Sequence, residues 1–336
     1  MTTWTIIGEL GSCDGGSGDQ PVLSSADLGP VTGWASKAEG WCRGAECIPA
    51  SLLGTVASDP AAPASAIASA LGAAYAVDEA HRVAVIGNRA DASSSLASGI
   101  APDLALTGLD GEPHDLFEQS AGKTLVVAFS SWCGCRYDLP GWQALRNELA
   151  SHSFDVVGVA IDESTDDVAP WATDIDFPVL VDTDRTFADT YGLTNVPTVI
   201  WLDEERRVVR SPSIEFSDDQ FTSVHGVESG PHLEAVRRWV LDGTLPDEAT
   251  IEVGVLSDDQ RQARAEFRLA LELLRREAPE AAAQHIATAD ALAPDDFTIW
   301  RAGMKLVGDD PFGADFFDRY TEWQQRHGGP LQVQNS

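Results

Sequence analysis

The sequence predicts an α/β fold in which a central mixed sheet has helices on both faces. Strand and helix patterns alternate from about residue 101 to residue 245, the order expected of a layered α/β domain. The strand cores at 125–129 and 156–161 are almost entirely apolar, as in strands covered on both sides. A hairpin turn signal, Asp110-Gly111, lies near the start of this region.

The middle domain, residues 99–248, carries these patterns in a definite order. Two strands, 104–107 and 114–117, flank the Asp110-Gly111 turn. The patterns that follow predict a strand at 125–129, a helix at 138–150, a strand at 154–161, a helix at 166–173, a strand at 178–181, a helix at 185–191, a strand at 198–202, a hairpin strand at 207–209 and a closing helix at 232–240.

Residues 1–98 predict a small α+β domain. They are rich in Gly, Ser and Ala, with strands at 3–7 and 82–86 and a helix at 64–71. A linker is predicted at 90–99.

Residues 249–336 predict a helical extension. Helices at 260–277 and 280–291 resemble one tetratricopeptide-type unit. One such pair cannot bury its apolar face alone, so we expect it to dock on the middle domain or on a partner. The aromatic residues that follow favour a docking surface over a ligand site; they are Trp300, Phe312, Phe316, Phe317, Tyr320 and Trp323.

The charge of the chain excludes two classes of partner. With 53 acidic against 22 basic residues, the formal net charge is −31. Such a surface repels nucleic acid and anionic membranes, so neither is expected to bind. The N-terminal residues lack a basic segment followed by a long apolar run, and the chain has no apolar stretch of membrane-spanning length. These observations predict a cytoplasmic location.

Cys133 and Cys135 are the leading candidates for chemistry. A strand pattern runs directly into them and a helix pattern follows. A helix N-terminus carries free N–H groups and partial positive charge, which favours thiolate over thiol. Because thiolate is the nucleophile of disulfide exchange, this context indicates a redox-active pair.

Four separated blocks resemble the thioredoxin-like fold, and within it the TlpA/ResA-type thiol–disulfide oxidoreductases of the AhpC/TSA redoxin superfamily. The blocks are Ala101-Pro102-Asp103-Leu104 with Leu109-Asp110-Gly111, residues 131–140 around the cysteines, residues 156–162, and Asn195-Val196-Pro197-Thr198. The sequence departs from the family at one point, since Cys-Gly-Cys replaces the family's Cys-x-x-Cys.

The resemblance implies a role for each of five residues. Cys133 is the attacking thiol and Cys135 the resolving thiol. Pro197 is a cis-proline facing the sulfurs, and Trp132 shields them from solvent. Asp138 occupies the family's acidic position, either to relay protons or to favour the helix start.

Three further residues and the expected ligands of the site remain to be considered. Arg136 could stabilise a thiolate, although an exposed surface position is favoured. His225 and His232 fit no standard metal motif and are interpreted as loop and helix-start residues, with a place in the lining of the thiol site as the less favoured alternative. We expect no cofactor or metal. The expected partners are a disulfide-bearing protein or a small thiol substrate, together with an upstream thiol reductant.

Three alternatives to disulfide exchange stay open. A peroxiredoxin-like peroxidase using Cys133 would match Ser130, but Val126 stands where such enzymes place proline. A non-catalytic thioredoxin-like interaction protein is the second alternative. The third is a protein that binds soft metal ions through its neighbouring thiols.

Cys42 and Cys47 form a second pair, four residues apart, in the N-terminal region. The pair alone is short of the four ligands of a structural zinc site, although Cys13 could add a third thiol. Redox relay to Cys133, a local disulfide or metal clip, and idle thiols are all compatible with the sequence. They are therefore possible auxiliary thiols.

Overall fold

The computed structural model describes residues 3–89, 96, 99–120, 122–246 and 255–327. The chain divides into two compact units, each built from two segments. The first unit comprises residues 1–93 and 256–294, and the second comprises residues 94–255 and 295–336. The helical region predicted at 249–336 is therefore not one domain, because its helices are shared between the units. The linker predicted at 90–99 lies, except for residues 96 and 99, outside the described residues.

Within the described residues, the first unit contains nine strands, five α-helices and a short 3-10 helix, Gly54–Ala57. Its strands are β1 (Thr5–Ile7), β2 (Ser12–Asp14), β3 (Val22–Ser24), β4 (Ala35–Lys37), β5 (Gly40–Arg43), β6 (Glu46–Pro49), β7 (Ala61–Pro63), β8 (Ala73–Asp78) and β9 (Val83–Arg89). Its helices are α1 (Leu28–Thr32), α2 (Ala50–Leu53), α3 (Ala64–Leu71), α9 (Asp258–Arg275) and α10 (Pro279–Leu292).

Three small sheets build the first unit. The largest has the order β2-β1-β9-β8, and the others are β3-β7 and β4-β5-β6. Helix α9 begins with a capping box between Ser257 and Gln260, and its apolar stripe packs on β8, β9 and α10. The helical pair predicted at 260–291 thus buries its face within the first unit rather than on the middle domain.

The second unit contains the sheet predicted for the middle domain. Its strands are β10 (Ala105–Gly108), β11 (Pro113–Asp115), β12 (Lys123–Phe129), β13 (Phe154–Ala160), β14 (Val179–Val181) and β15 (Thr198–Leu202). Its helices are α4 (Leu139–Leu149), α5 (Thr165–Val168), α6 (Thr186–Thr190), α7 (Thr222–His225), α8 (Ser229–Asp242), α11 (Phe297–Val307) and α12 (Ala314–His327).

The sheet order is β11-β10-β14-β13-β12-β15. Strands β12, β13 and β14 are parallel, whereas β15 runs antiparallel to β12 and β10 antiparallel to β14. Almost every residue of β12 and β13 is buried, which explains their unbroken apolar runs. The hairpin strand predicted at 207–209 is reduced to isolated bridges, such as Leu202 with Val208.

Helices α11 and α12 belong to the same unit as this sheet. Phe297 N–H donates to the Thr194 carbonyl at 2.8 Å, and Arg185 donates to the Thr298 carbonyl at 3.1 Å. The two helices also share an aromatic cluster around Phe297. The aromatic residues thus pack between α11 and α12, and their use as a docking surface stays a prediction.

No helix among the described residues combines the length and the apolar character needed to cross a membrane.

Candidate active site

Cys133 and Cys135 lie where the chain leaves β12 and enters a turn of 3-10 helix, Gly134–Asp138, that leads into α4. Cys133 has extended backbone just before this turn, and its Sγ accepts a hydrogen bond from Cys135 N–H at 3.4 Å. The structure therefore has the strand-to-helix placement that the sequence predicts.

Asp162 anchors the chain between β12 and the thiols. This carboxylate is fully buried and accepts hydrogen bonds from Ser130 Oγ at 2.9 Å and from Ser131 N–H at 2.8 Å. Burial and the neighbouring Glu163 raise the pKa of Asp162, while the nearby Lys305 ammonium opposes the rise. A buried carboxylate with several donors holds the loop in one conformation.

The loop before β15 faces the thiols. The Val196–Pro197 peptide bond is cis, as the sequence predicts, and the Val196 carbonyl oxygen lies 3.6 Å from Cys133 Sγ. Asn195 Oδ1 accepts from the Val196 N–H at 2.8 Å, which helps to position this carbonyl.

Arg301, on α11, is the cation nearest to Cys133 that the structure records. Its Nη1 lies 3.5 Å from Cys133 Sγ, and its Nε donates to the Pro311 carbonyl at 2.8 Å. Its guanidinium lies 3.8 Å from the centre of the Phe316 ring and 5.6 Å from that of Trp132. Sequence reasoning missed this residue, because it lies 168 positions from Cys133 in a helix assigned to another region.

The two thiols have opposite acidities. Burial by itself raises the pKa of Cys133, but hydrogen bonding from Cys135 and the charge of Arg301 outweigh burial and lower the pKa from 9.0 to about 6. Burial, then the adjacent Cys133, raises the pKa of Cys135 well above 9.0. Cys133 is therefore the thiolate and Cys135 the protonated thiol of the pair.

Asp138 is a buried carboxyl at the end of the same helical turn. Its Oδ1 accepts from the Ser217 N–H at 2.7 Å and from the Asp218 N–H at 3.1 Å. Burial raises the pKa of Asp138 to about 7, although these hydrogen bonds favour the ionised form. Its charge also contributes to the raised pKa of Cys135. Asp138 can therefore change protonation state near neutral pH.

Trp132 and Arg136 flank the thiols differently. Trp132 is 4% exposed and lies beside Arg301. Arg136 turns away from the sulfurs: it donates to the Ser131 carbonyl and stacks over Trp171, with 4.3 Å between guanidinium and ring centre. The thiolate-stabilising cation is thus Arg301 and not Arg136.

The sulfurs are more enclosed than the sequence suggested. Cys133 is 5% exposed and Cys135 is 2% exposed. Both line a cavity of about 60 Å³ whose walls include Phe216, Phe316 and Tyr320. His225 also lines this cavity, which was the less favoured interpretation of this residue, whereas His232 is not among the lining residues. Both α11 and α12 contribute to the walls, so the active site extends beyond the predicted middle domain.

The first unit holds the other cysteine pair. Cys42 and Cys47 face each other on β5 and β6 and form a disulfide, one of the alternatives left open by the sequence. With Glu39 they make the only group of His, Cys, Asp or Glu side chains in the described ranges that is close enough to hold a metal ion. Because the two sulfurs are bonded to each other here, this group offers no thiolate ligands in this state.

The second unit is built around a redoxin domain of the thioredoxin-like class, defined by a parallel strand that ends in a thiol pair and by a cis-proline opposite the sulfurs. Residues 97–211 match the model of the AhpC/TSA family. The curated relatives that match this region are thiol-disulfide oxidoreductases named ResA.

Two curated relatives illustrate this similarity. Thiol-disulfide oxidoreductase ResA of Bacillus subtilis (strain 168) is 26% identical over 113 residues, which cover 33% of this chain and 63% of ResA. ResA of Halalkalibacterium halodurans is 24% identical over 124 residues, 36% of this chain and 70% of that protein. The chain thus spans less than two thirds of the Bacillus subtilis protein.

Solved structures with similarity to this chain include two from bacteria. A putative thiol:disulfide interchange protein DsbE from Chlorobium tepidum is 23% identical, covers 43% of this chain and 94% of its own, and has a TM-score of 0.36. StoA from Bacillus subtilis is 19% identical, covers 36% of this chain and 95% of its own, and has a TM-score of 0.30.

Proposed function

We propose that the protein is a thiol–disulfide oxidoreductase in which Cys133 is the nucleophile and Cys135 the resolving thiol. The observation that carries this proposal is the environment of Cys133 Sγ. It lies 3.5 Å from the Arg301 guanidinium and 3.4 Å from the Cys135 N–H, and both contacts favour thiolate.

The reaction transfers two electrons from the dithiol to a disulfide substrate. The Cys133 thiolate attacks one substrate sulfur, forming a mixed disulfide and releasing one substrate thiolate. Cys135 then attacks Cys133 Sγ, which closes the Cys133–Cys135 disulfide and releases the second substrate thiol. An external thiol reductant returns the pair to the dithiol.

Asp138, Pro197 and Trp132 support these steps. Asp138, with a pKa of about 7, takes the proton of Cys135 as that thiol attacks. The backbone of Val196, beside Pro197, offers a pairing position for the substrate next to Cys133. Trp132 keeps water from the sulfurs.

The partners follow from this chemistry. They are a disulfide-bearing protein or a small thiol compound as substrate, and a thiol reductant upstream. The net charge of −31 disfavours nucleic acid and anionic membranes. The cytoplasmic location stays a prediction, to be tested by fractionation of cells that express the full chain.

The test is a redox titration of the full chain, with mass spectrometry to locate the bond that forms. We expect one two-electron couple between Cys133 and Cys135, disulfide reduction that Cys133→Ser abolishes, and a trapped mixed disulfide in Cys135→Ser. A wild-type rate in Cys133→Ser would refute the proposal and favour the non-catalytic interaction protein.

Peroxide reduction by Cys133 is a second candidate, favoured by the small cavity and the cation beside the thiolate. In this reaction the Cys133 thiolate attacks one peroxide oxygen, the O–O bond breaks and the other oxygen leaves as hydroxide, which is protonated to water. Cys135 then attacks the resulting sulfenic acid, which closes the disulfide and releases a second water. Consumption of hydrogen peroxide by the reduced protein, compared with its rate on disulfides, decides between the two.

A further inference from the structure

Two residues that line the cavity beside Cys133 each have a polar atom that no described residue satisfies. Arg301 Nη2 and His225 Nε2 are buried and without a hydrogen-bond partner among the described residues. Both side chains line the cavity and both are 5% exposed. A buried polar atom without a partner costs free energy, so an unpaired pair at a reactive thiol indicates a ligand.

Both unpaired atoms are hydrogen-bond donors. Arg301 carries only donors. His225 Nδ1 accepts the Val227 N–H at 3.1 Å, and burial lowers the pKa of His225, so the neutral ring carries its proton on Nε2. The ligand that satisfies these donors must therefore supply acceptor atoms, and a carboxylate offers two.

The size of the cavity limits the ligand. A volume of about 60 Å³ has room for roughly four water-sized groups. The methylene and carboxylate of a short thiol acid contain that number of heavy atoms. Phe312 and Val224, 36% and 37% exposed, are lining residues that reach the surface, so the cavity has access to solvent.

Aromatic rings packed beside the two thiols hinder the approach of a protein substrate. A Cβ at Gly134, between the two thiols, would lie 3.1 Å from the Phe221 ring and 3.4 Å from the Phe312 ring. These rings thus pack against the Cys-Gly-Cys segment, where a protein chain bound beside Val196 would have to displace them.

We propose that the cavity is the binding site for a low-molecular-weight disulfide with a carboxylate a few atoms from the reacting sulfur, held by Arg301 and His225. This assignment rests on the proposed function and names its substrate class. Cys133 thiolate attacks the near sulfur and one thiol acid leaves as its thiolate. Cys135 then closes the protein disulfide, and its proton passes through Asp138 to the second thiol acid.

The experiment compares four disulfides in single-turnover reactions of the reduced full chain: dithiodiglycolate (anionic), bis(hydroxyethyl) disulfide (neutral), cystamine (cationic) and insulin. Each rate is divided by the rate of N-acetylcysteine with the same disulfide, which removes differences in leaving-group chemistry. We expect the anionic disulfide to exceed the neutral one by about tenfold or more, the value of one charge-assisted hydrogen bond. A faster reaction with the anionic disulfide is the opposite of what the net charge of −31 predicts, because that charge repels anions.

Two variants test whether Arg301 and His225 cause the preference for the anionic disulfide, and a third variant serves as the control. Arg301→Met should abolish the ratio of anionic to neutral rates. His225→Phe, which keeps the ring stacked on Phe216 at 3.7 Å but removes the donor, should reduce it severalfold. His232→Phe, outside the cavity, should leave it unchanged. The ratio is compared rather than the absolute rate, because Arg301→Met also changes the pKa of the Cys133 thiol and so affects the rates with both disulfides.

The outcomes separate the two proposals. Insulin reacting as fast as dithiodiglycolate, or a ratio that survives Arg301→Met, would overturn this assignment and leave disulfide exchange intact. Iodoacetamide alkylation of Cys133 with no reaction toward any disulfide would overturn both.

Discussion

Replacing Arg301 with methionine tests the electrostatic basis of the site. The side chain keeps similar length and apolar bulk beside Phe316 and Trp132, but loses the charge 3.5 Å from Cys133 Sγ. Arg319→Met is the matched control. It removes an arginine from α12 that stacks on Trp300, 4.3 Å from the ring centre.

The expected magnitude follows from Coulomb's law. At 3.5 Å, the Arg301–thiolate attraction is about 1 kcal/mol in bulk water and about 5 kcal/mol at an effective dielectric constant of about 20. These energies correspond to roughly 1 and 3.5 pKa units. The pKa of Cys133 should therefore rise by about 1 to 3.5 units from about 6.

The pKa is measured by the ultraviolet absorbance of the thiolate and by the pH dependence of iodoacetamide alkylation, with Cys135→Ala as background. The alkylation curve should move to higher pH in Arg301→Met and stay in place in Arg319→Met. Because the pKa of folded Cys133 is depressed below 9.0, reduced wild type should gain stability over the variant as pH rises from about 6 to 9, and lose it as pH falls. An unmoved curve in a folded Arg301→Met would refute the electrostatic role.

Three further predictions concern acids and cysteines. Asp138→Asn should slow the attack by Cys135, seen in single-turnover product release. Because the pKa of folded Asp138 is raised from 3.8 to about 7, the variant should also gain up to about 4 kcal/mol over wild type in denaturant unfolding as pH rises through that window. Asp182→Ala should cost roughly 2 to 4 kcal/mol in urea unfolding, because this buried carboxylate accepts two backbone N–H groups of α6, at 2.9 and 2.8 Å. The Cys42→Ser, Cys47→Ser double variant should lose about 2 kcal/mol under oxidising conditions and nothing under reductant, from the loop that the disulfide closes. Its turnover tests the redox relay that the sequence left open, since an unchanged rate would exclude it.

The sheet of the second unit could be predicted because local and long-range requirements agree there. The apolar run at 125–129 indicates a buried strand, and Gly111, where φ is +82°, indicates a turn. The first unit was harder, since its nine strands are three to seven residues long and several carry few apolar residues. Strand β4, for example, is fully exposed. Such strands form through pairing with neighbours that a single sequence does not reveal.

The residues of the site also divide into those that could be predicted from the sequence and those that could not. Cys133, Cys135 and Pro197 could be placed because they lie in one continuous motif and one loop at the edge of a predictable sheet. Arg301 and His225 could not, because their roles depend on which surface α11 and the segment before α8 cover. The available signal was an arginine within an otherwise apolar helix face. This pattern does not indicate which group the arginine contacts.

The placement of α11 and α12 links the acidity of Cys133 to its choice of substrate. Covering the thiols raises the free energy of a thiolate, which would leave Cys133 protonated near neutral pH. The same cover supplies Arg301, whose charge, together with hydrogen bonding from Cys135, more than offsets that cost, and it leaves a cavity of about 60 Å³ beside the thiols. A redoxin with exposed thiols needs no such cation and admits many substrates. Here the cation and the enclosure come from one helical pair, so a change that removes the Arg301 charge without opening the cover should raise the pKa of Cys133, because burial then acts with less opposition.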